Sequence, residues 1–124
     1  MIWFFYNLLF PIGFLVLLPR FIVRMCRRGG YAKDFMQRFG IYDPTTQSRM
    51  EEGGRIWIQA VSVGEIFVAF KLMDRIRERH PNSQFVLSTN TSTGYSIGRK
   101  RVDARDVLIY FPLDFPWIMK RIIR

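Results

Sequence analysis

The sequence predicts an α/β fold, a Rossmann-like parallel sheet preceded by an apolar membrane-anchor helix. Residues 1–19 carry no charged side chain, and runs rich in β-branched and aromatic residues follow at 55–61, 85–89 and 107–111. Segments with helical character separate these runs, which gives the order strand, helix, strand, helix, strand, helix. That order is typical of a parallel sheet with right-handed crossovers. In the commonest strand order of such sheets, the first strand here would form an exposed edge.

Length, composition and charge narrow the function classes. The chain has 124 residues, enough for one ordinary domain, and its hydrophobic fraction of 49% excludes a disordered chain. Its single cysteine, Cys26, excludes an intrachain disulfide framework and cannot alone make a structural zinc site. The net charge of +9 predicts an anionic partner, either nucleic acid, phospholipid headgroups or a phosphorylated substrate. Because the basic residues flank an apolar segment, we expect a membrane partner and no nucleic acid.

The apolar amino terminus is predicted to be an uncleaved membrane anchor over residues 1–23. About 20 apolar residues cross a bilayer as a helix. Basic residues follow the apolar stretch: Arg20, Arg24, Arg27, Arg28 and Lys33. A cleavable signal peptide would carry its basic residues before the stretch, and the positive-inside rule keeps the following chain in the cytoplasm. A helix that spans the bilayer and one half-sunk in the leaflet remain open as alternatives.

The remaining chain is predicted to form two parts. Residues 24–54 form a basic juxtamembrane segment and a linker, since 44–54 is polar and ends in Gly-Gly. Residues 55–124 form the domain, with helices over 65–80, 95–101 and 115–124 between and after the strands. About 70 residues is near the size at which a single core becomes marginal. We therefore expect a partial, truncated domain, the front of a longer fold.

Polar residues follow the predicted strands, at the edge where open parallel sheets bind ligands. Ser62-Val63-Gly64-Glu65 fits the S-x-x-E capping box, in which serine and glutamate satisfy backbone amides at a helix start. On this motif alone, capping is favoured over the alternative that Glu65 is a general base within reach of a substrate hydroxyl. The loop from Thr89 to Gly94 offers hydroxyls and amides for a phosphate or a sugar. Turn formation alone would select the same residue types.

Four segments together resemble the amino-terminal domain of bacterial 3-deoxy-D-manno-octulosonic acid (Kdo) transferases. They are RFGIY at 38–42, IWIQAVSVGE at 56–65, STNTSTG at 88–94 and YFPLDFP at 110–116. Members of that family carry an apolar amino-terminal anchor and two Rossmann-like domains of the GT-B glycosyltransferase type. The resemblance implies that this chain holds the acceptor-binding half, and that the donor-binding domain lies outside these 124 residues.

The resemblance also implies an activity, the inverting transfer of Kdo from CMP-Kdo to a lipid A precursor in lipopolysaccharide biosynthesis. It implies neither a required metal nor a cofactor, and it places the protein at the cytoplasmic face of the bacterial inner membrane. Glu65 would be the general base that deprotonates a glucosamine hydroxyl, and we expect its side chain to face the cleft. The residues expected to bind the acceptor surround it: Ser62, Gly64, Thr89, Thr93 and Gly94.

Two departures from the family pattern and one alternative function stand beside this hypothesis. Gln59 occupies a position where the family usually has His, and Asn90 and Ser92 replace the more usual Met and Pro of the second loop. The alternative is a non-catalytic membrane-anchored domain that binds anionic lipid or a protein partner. That alternative predicts salt-sensitive binding to acidic vesicles that does not depend on Glu65.

Overall fold

The computed structural model describes residues 2–28 and 34–122. Lys33 and residues 123–124, which the sequence analysis placed in the basic flank and the last helix, lie outside the described residues. The elements in chain order are α1 (Ile2–Arg28), a 3-10 helix (Phe35–Phe39), α2 (Pro44–Glu51), β1 (Ile56–Ala60), α3 (Val63–Arg79), β2 (Phe85–Thr89), α4 (Ser92–Arg101), β3 (Val107–Tyr110) and α5 (Pro116–Ile122).

The three strands form one parallel sheet in the order β1-β2-β3. The central strand β2 is buried along its whole length, and Leu87 is in register with Ile58 on one side and Leu108 on the other. Continuous burial is typical of parallel strands that are covered on both faces. The predicted α/β class, the parallel sheet and the position of β1 at an edge are confirmed.

Helices α3 and α4 cover one face of the sheet. Ile66, Ala69, Phe70 and Met73 recur along α3 at helical spacing, and they pack with Phe85, Leu87 and Ala60 in one core cluster. Ser62 caps α3, which begins at Val63, two residues before the predicted start at residue 65. The helix ends at Arg79, before Pro81. The apolar stripe of α3 therefore fixes this helix against the strands.

The opposite face is covered by α2, so the prediction of a linker over residues 44–54 is wrong for 44–51. The Asp43 side chain accepts a hydrogen bond from the Thr46 N–H at 3.0 Å, and Pro44 suits the first helical turn. Arg49 donates to the carbonyls of Ala104 and Asp106 at 2.6 and 2.9 Å. These contacts join α2 to the loop before β3, which makes the segment part of the domain.

A buried ion pair holds the amino end of the sheet. The Asp106 side chain is fully buried, and its two oxygens accept hydrogen bonds from Arg77 Nη2 at 2.6 and 2.7 Å. The same carboxylate accepts the Phe85 N–H at 2.9 Å. Because a buried charge needs partners of this kind, Asp106 links α3, β2 and the chain before β3.

The 3-10 helix covers the edge of the sheet formed by β3. Gln37 Oε1 accepts the Tyr110 N–H at 2.9 Å, which occupies a donor that a further strand would otherwise use. Gly40 ends the helix with φ of +70°, and a Cβ at this position would lie 3.2 Å from Ile122 and 3.3 Å from Ile118 of α5. Glycine thus provides both the left-handed backbone and the room for α5.

Helix α1 lies alongside this covered edge. The Phe10 and Phe14 rings meet the Phe115 ring at 5.3 and 5.9 Å, and the Tyr6 hydroxyl donates to Asp114 at 2.9 Å. The stretch Trp3–Arg24 is long and apolar enough to cross a membrane by length and composition. The helix continues to Arg28, past the predicted anchor boundary at residue 23.

Candidate active site

The turns after β1 and β2 lie side by side at the carboxyl edge of the sheet. The two strands are parallel neighbours, and Ala60 is in register with Thr89 at their last residues. Helices α3 and α4 start directly beyond these turns, at Val63 and Ser92, and they pack against each other. Two helix amino termini, each with a partial positive charge, therefore share this edge with Glu65.

The capping box predicted for the first turn is formed. Ser62 Oγ accepts the Glu65 N–H at 3.3 Å, and the Ser62 hydroxyl lies 3.2 Å from Glu65 Oε1, to which it donates. Glu65 Oε2 accepts the Val61 N–H at 2.7 Å. The glutamate therefore reaches back to the amide before the cap residue and rigidifies the turn that carries it.

The Glu65 side chain is exposed, as are Ser62, Val63 and Gly64 beside it. We expected this side chain to face a cleft; it is open to solvent, but both of its carboxylate oxygens accept hydrogen bonds from its own turn. An ionised carboxylate offers about four lone-pair sites. Because the hydrogen bonds from Val61 and Ser62 use two of them, two sites of the Glu65 carboxylate remain for hydrogen bonds from other donors.

The second turn is built differently, since its predicted site residues are mostly buried. Thr91 Oγ1 caps α4 by accepting the Gly94 N–H at 3.0 Å. Thr89 is 0% exposed, and within the described part of the chain its hydroxyl has no hydrogen-bond partner. A Cβ on Gly94 would lie 2.6 Å from Thr89 Oγ1 and 2.8 Å from Thr91 Oγ1. Thr89 and Gly94 therefore pack closely together under the second turn and fix its conformation.

Burial separates Thr89 and Gly94 from the other residues predicted to bind the acceptor. Thr89 ends the central strand, which is covered on both faces, and Gly94 is buried where α4 packs over that strand. Neither presents a surface to a ligand in this structure. Ser62, Gly64, Glu65 and Thr93 are exposed at the same edge, and they form the accessible part of the predicted site.

Arg38 is a buried residue of this edge to which the sequence analysis assigned no role. Its Nη2 donates to the Asn90 carbonyl at 2.7 Å, and its guanidinium lies 4.7 Å from the centre of the Tyr110 ring. Its own carbonyl accepts the Leu113 N–H at 2.7 Å. Arg38 thereby joins the turns after β2 and β3. Its position in the RFGIY segment was the available signal, although the segment alone does not indicate burial.

The third turn, which follows β3, lies against the membrane-anchor candidate. Asp114 accepts the Tyr6 hydroxyl, and Phe115 packs against α1. Within residues 2–28 and 34–122, no group of three His, Cys, Asp or Glu side chains is arranged to hold a metal ion. Because the strand order is β1-β2-β3, the carboxyl edge carries the Glu65 turn first, then the second turn, and then the third turn with α1 against it.

Comparison with known proteins places these features in a family. The model of a family described as 3-deoxy-D-manno-octulosonic-acid transferase (kdotransferase) matches residues 33–124. Proteins named 3-deoxy-D-manno-octulosonic acid transferase are 28% identical in Chlamydia trachomatis serovar D and 25% identical in Chlamydia pneumoniae. Each match covers 96% of this chain and 27% of the relative.

A further relative of the same name, from Chlamydophila psittaci, is 27% identical over 98% of this chain and 28% of its own length. The chain thus spans little more than a quarter of the length of the curated relatives it matches. No solved structure matches it. Since the family model covers most of the sequence, including every turn of the candidate site, the chain belongs to the 3-deoxy-D-manno-octulosonic-acid transferase family.

Proposed function

We propose that this chain is the acceptor-binding, amino-terminal part of a Kdo transferase with the GT-B arrangement of two Rossmann-like domains. The whole enzyme would move Kdo from CMP-Kdo to a lipid A precursor. The observation that carries this proposal is the exposed Glu65 at the carboxyl edge of a parallel sheet, in a chain of this family. Ligands of open parallel sheets bind at that edge.

In the proposed reaction, Glu65 accepts the proton of a glucosamine hydroxyl of the acceptor. The oxygen then attacks the anomeric carbon of Kdo, and the bond from that carbon to the phosphate oxygen of CMP breaks. CMP leaves with the bonding electron pair, and the configuration at the anomeric carbon inverts. The capping hydrogen bonds from Val61 and Ser62 hold the base in place, which reduces the cost of orienting it against a substrate.

The acceptor would contact the exposed residues of the two turns. The Ser62 and Thr93 hydroxyls can donate and accept hydrogen bonds with sugar hydroxyls, and Gly64 leaves space for a sugar to approach the backbone. Thr89 and Gly94 would act indirectly by fixing the second turn. The domain would include the 3-10 helix and α2, because both pack on the sheet.

The proposal places the protein at the cytoplasmic face of the bacterial inner membrane. Helix α1 is apolar, and the basic residues Arg20, Arg24 and Arg27 lie in its last three turns. This charge distribution supports a cytoplasmic domain under the positive-inside rule. A lipid acceptor and its transferase would then meet at the same surface.

The test is a transfer assay with the chain joined to the donor-binding part of a related transferase. We expect Kdo to be transferred from CMP-Kdo to a lipid A precursor, with the product's anomeric configuration inverted when measured by NMR. The donor-binding part alone serves as the control. A folded protein that transfers no Kdo, but binds acidic vesicles in a salt-sensitive way regardless of the lipid A sugars, would instead support a non-catalytic lipid-binding domain.

A further inference from the structure

A cavity of about 380 Å³ separates part of α1 from the domain. Its helix side is formed by Gly13, Phe14, Leu17 and Phe21 among others, and its domain side is formed by Phe35, Arg38 and Leu113. The lining is almost entirely apolar. Apolar cavities in proteins accept apolar ligands, because water finds no polar partners in them.

The cavity has the shape of a groove along the helix. Its helix wall runs from Phe10 to Phe21, about 16 Å at 1.5 Å per residue. A Cβ on Gly13 would meet no atom within 4 Å, so open space lies directly beside the backbone. Leu17 lines the cavity although it is 62% exposed. An extended hydrocarbon chain fits a long apolar groove that is open on one side.

Positive charge continues from one end of this groove. At 3.6 residues per turn, Arg24 lies on the same side of α1 as Leu17 and Phe21, with Arg20 one turn before it. Both arginines are exposed, and together with Arg27 they line a second opening of about 350 Å³. Guanidinium groups bind phosphate oxygens in a planar, two-pronged geometry. The combination matches a lipid with an acyl chain and an anionic headgroup.

We propose that the groove binds one acyl chain of an anionic glycerophospholipid from the bilayer, with the headgroup phosphate at Arg20 and Arg24. The groove lies beyond β3, whereas Glu65 follows β1. Two strand spacings, about 10 Å, separate those strand ends. The groove is therefore a place in the fold separate from the Glu65 turn, and this inference does not depend on the proposed activity.

The bound lipid would fix α1 against the domain. The contacts between them include ring contacts of Phe10, Phe14 and Phe21, the hydrogen bond from Tyr6 to Asp114, and the Arg38 guanidinium 5.7 Å from the centre of the Phe21 ring. An acyl chain in the groove would fill the space between Phe14 and Phe21 and add contacts to both walls. It would thereby set the angle at which the domain meets the membrane surface.

The experiment uses a phosphatidylglycerol probe with a photoreactive diazirine on its acyl chain, incorporated into vesicles with the full chain. After irradiation, mass spectrometry locates the labelled residues. We expect labelling of Phe35 and Leu113 on the domain wall. Bulk lipid reaches the outer side of α1 in any arrangement, so labelling confined to that outer side would contradict the proposal.

Two matched variants test the groove itself. Gly13→Leu places a side chain in the open space and raises helix propensity, so we expect a severalfold drop in domain-wall labelling without loss of helix by circular dichroism. Val16→Leu adds one carbon on the outer side, where Val16 is 72% exposed, and should leave the labelling unchanged. Equal labelling in both variants would overturn the assignment of the groove.

The headgroup and the source of the lipid are tested separately. Arg20→Gln combined with Arg24→Gln should reduce the preference for phosphatidylglycerol over phosphatidylcholine probes by about thirtyfold. An unchanged preference would remove the arginines from the site. If unlabelled lipid A precursor competes for the domain wall better than unlabelled phosphatidylglycerol does, the occupant is the acceptor and the proposal is wrong.

Discussion

The two ends of the three-stranded sheet use their charged residues in different ways. At the amino end, the Asp106 carboxylate is fully buried and bound by Arg77 and the Phe85 amide. At the carboxyl end, the Glu65 carboxylate is exposed, and among the described residues its hydrogen bonds stay within its own turn. Buried charges are costly without partners, whereas an exposed carboxylate stays available to a substrate. Charge changes should therefore affect stability at the amino end and activity at the carboxyl end.

The largest expected effect is that of Asp106→Asn at the amino end. The substitution removes a charge and leaves the guanidinium of Arg77, whose side chain is 17% exposed, without its carboxylate. Breaking a buried ion pair in this way costs about 3–5 kcal/mol. The free energy of unfolding, measured by urea denaturation in detergent, should fall by that amount.

The matched control for this prediction is Asp103→Asn. Asp103 is an exposed carboxylate three residues away that pairs with Arg105 at 3.3 Å. Exposed pairs contribute little to stability, so this variant should unfold almost as the parent does. Equal losses in the two variants would contradict the assignment of Asp106 as a structural charge.

A second, smaller effect separates the two turns of the carboxyl end. Gly94→Ala forces a Cβ to within 2.6 Å of Thr89 Oγ1, in a buried turn that cannot open freely. Overpacking of this kind costs about 1–3 kcal/mol. Gly64→Ala meets nothing nearer than Ser62 Oγ at 4.0 Å, so it should leave the unfolding free energy unchanged or slightly raised.

The two glycine variants should also be compared in transfer activity, which we expect to fall in Gly64→Ala, the variant that keeps its stability. We expect Gly64→Ala to lower the rate of Kdo transfer, because the proposed acceptor approaches the backbone at this exposed turn. Thermal unfolding and transfer should be measured on the same preparations. A destabilised Gly64→Ala protein, or a fully stable Gly94→Ala protein, would remove the distinction between an open turn and a packed one.

The smallest of these stability effects concerns Tyr42, which packs under α2. Burial raises the pKa of its phenol from 10.0 to about 12, and within the described residues its hydroxyl has no hydrogen-bond partner. Because the folded pKa exceeds the unfolded one, the contribution of Tyr42 to stability is fully present below pH 10 and is lost as pH rises from 10 towards 12. Tyr42→Phe should abolish this contribution to the alkaline loss in unfolding measurements. An unchanged pH profile would contradict it.

Local patterns in the sequence predicted most of the sheet and its main helix. The predicted strand over 85–89 matches β2, and the apolar stripe of α3 lies on the core as its period indicated. The capping box of Ser62 and Glu65 was also predicted, because both partners lie within four residues. Such features depend on neighbours in the chain, which is why pattern analysis finds them.

Features that depend on distant contacts were missed. The polar sequence of helix α2 is typical of a linker. The contacts that hold it on the domain, such as those from Arg49 to carbonyls more than 50 residues away, are not visible in its local pattern. Thr89 was assigned to the acceptor site because hydroxyl residues often line such loops, while its burial depends on the packing of α4 over β2. Arg38 likewise has its role only through Asn90 and Tyr110, which lie on other elements.

The most direct test of the account combines stability and transfer in Glu65→Gln, within the chain joined to a donor-binding part. Glutamine keeps an oxygen for the Val61 amide but cannot take a proton. We predict that the unfolding free energy changes by at most about 1 kcal/mol, while transfer falls about 10²- to 10⁴-fold. Unchanged transfer, or a loss explained by unfolding as in Asp106→Asn, would contradict Glu65 as the base.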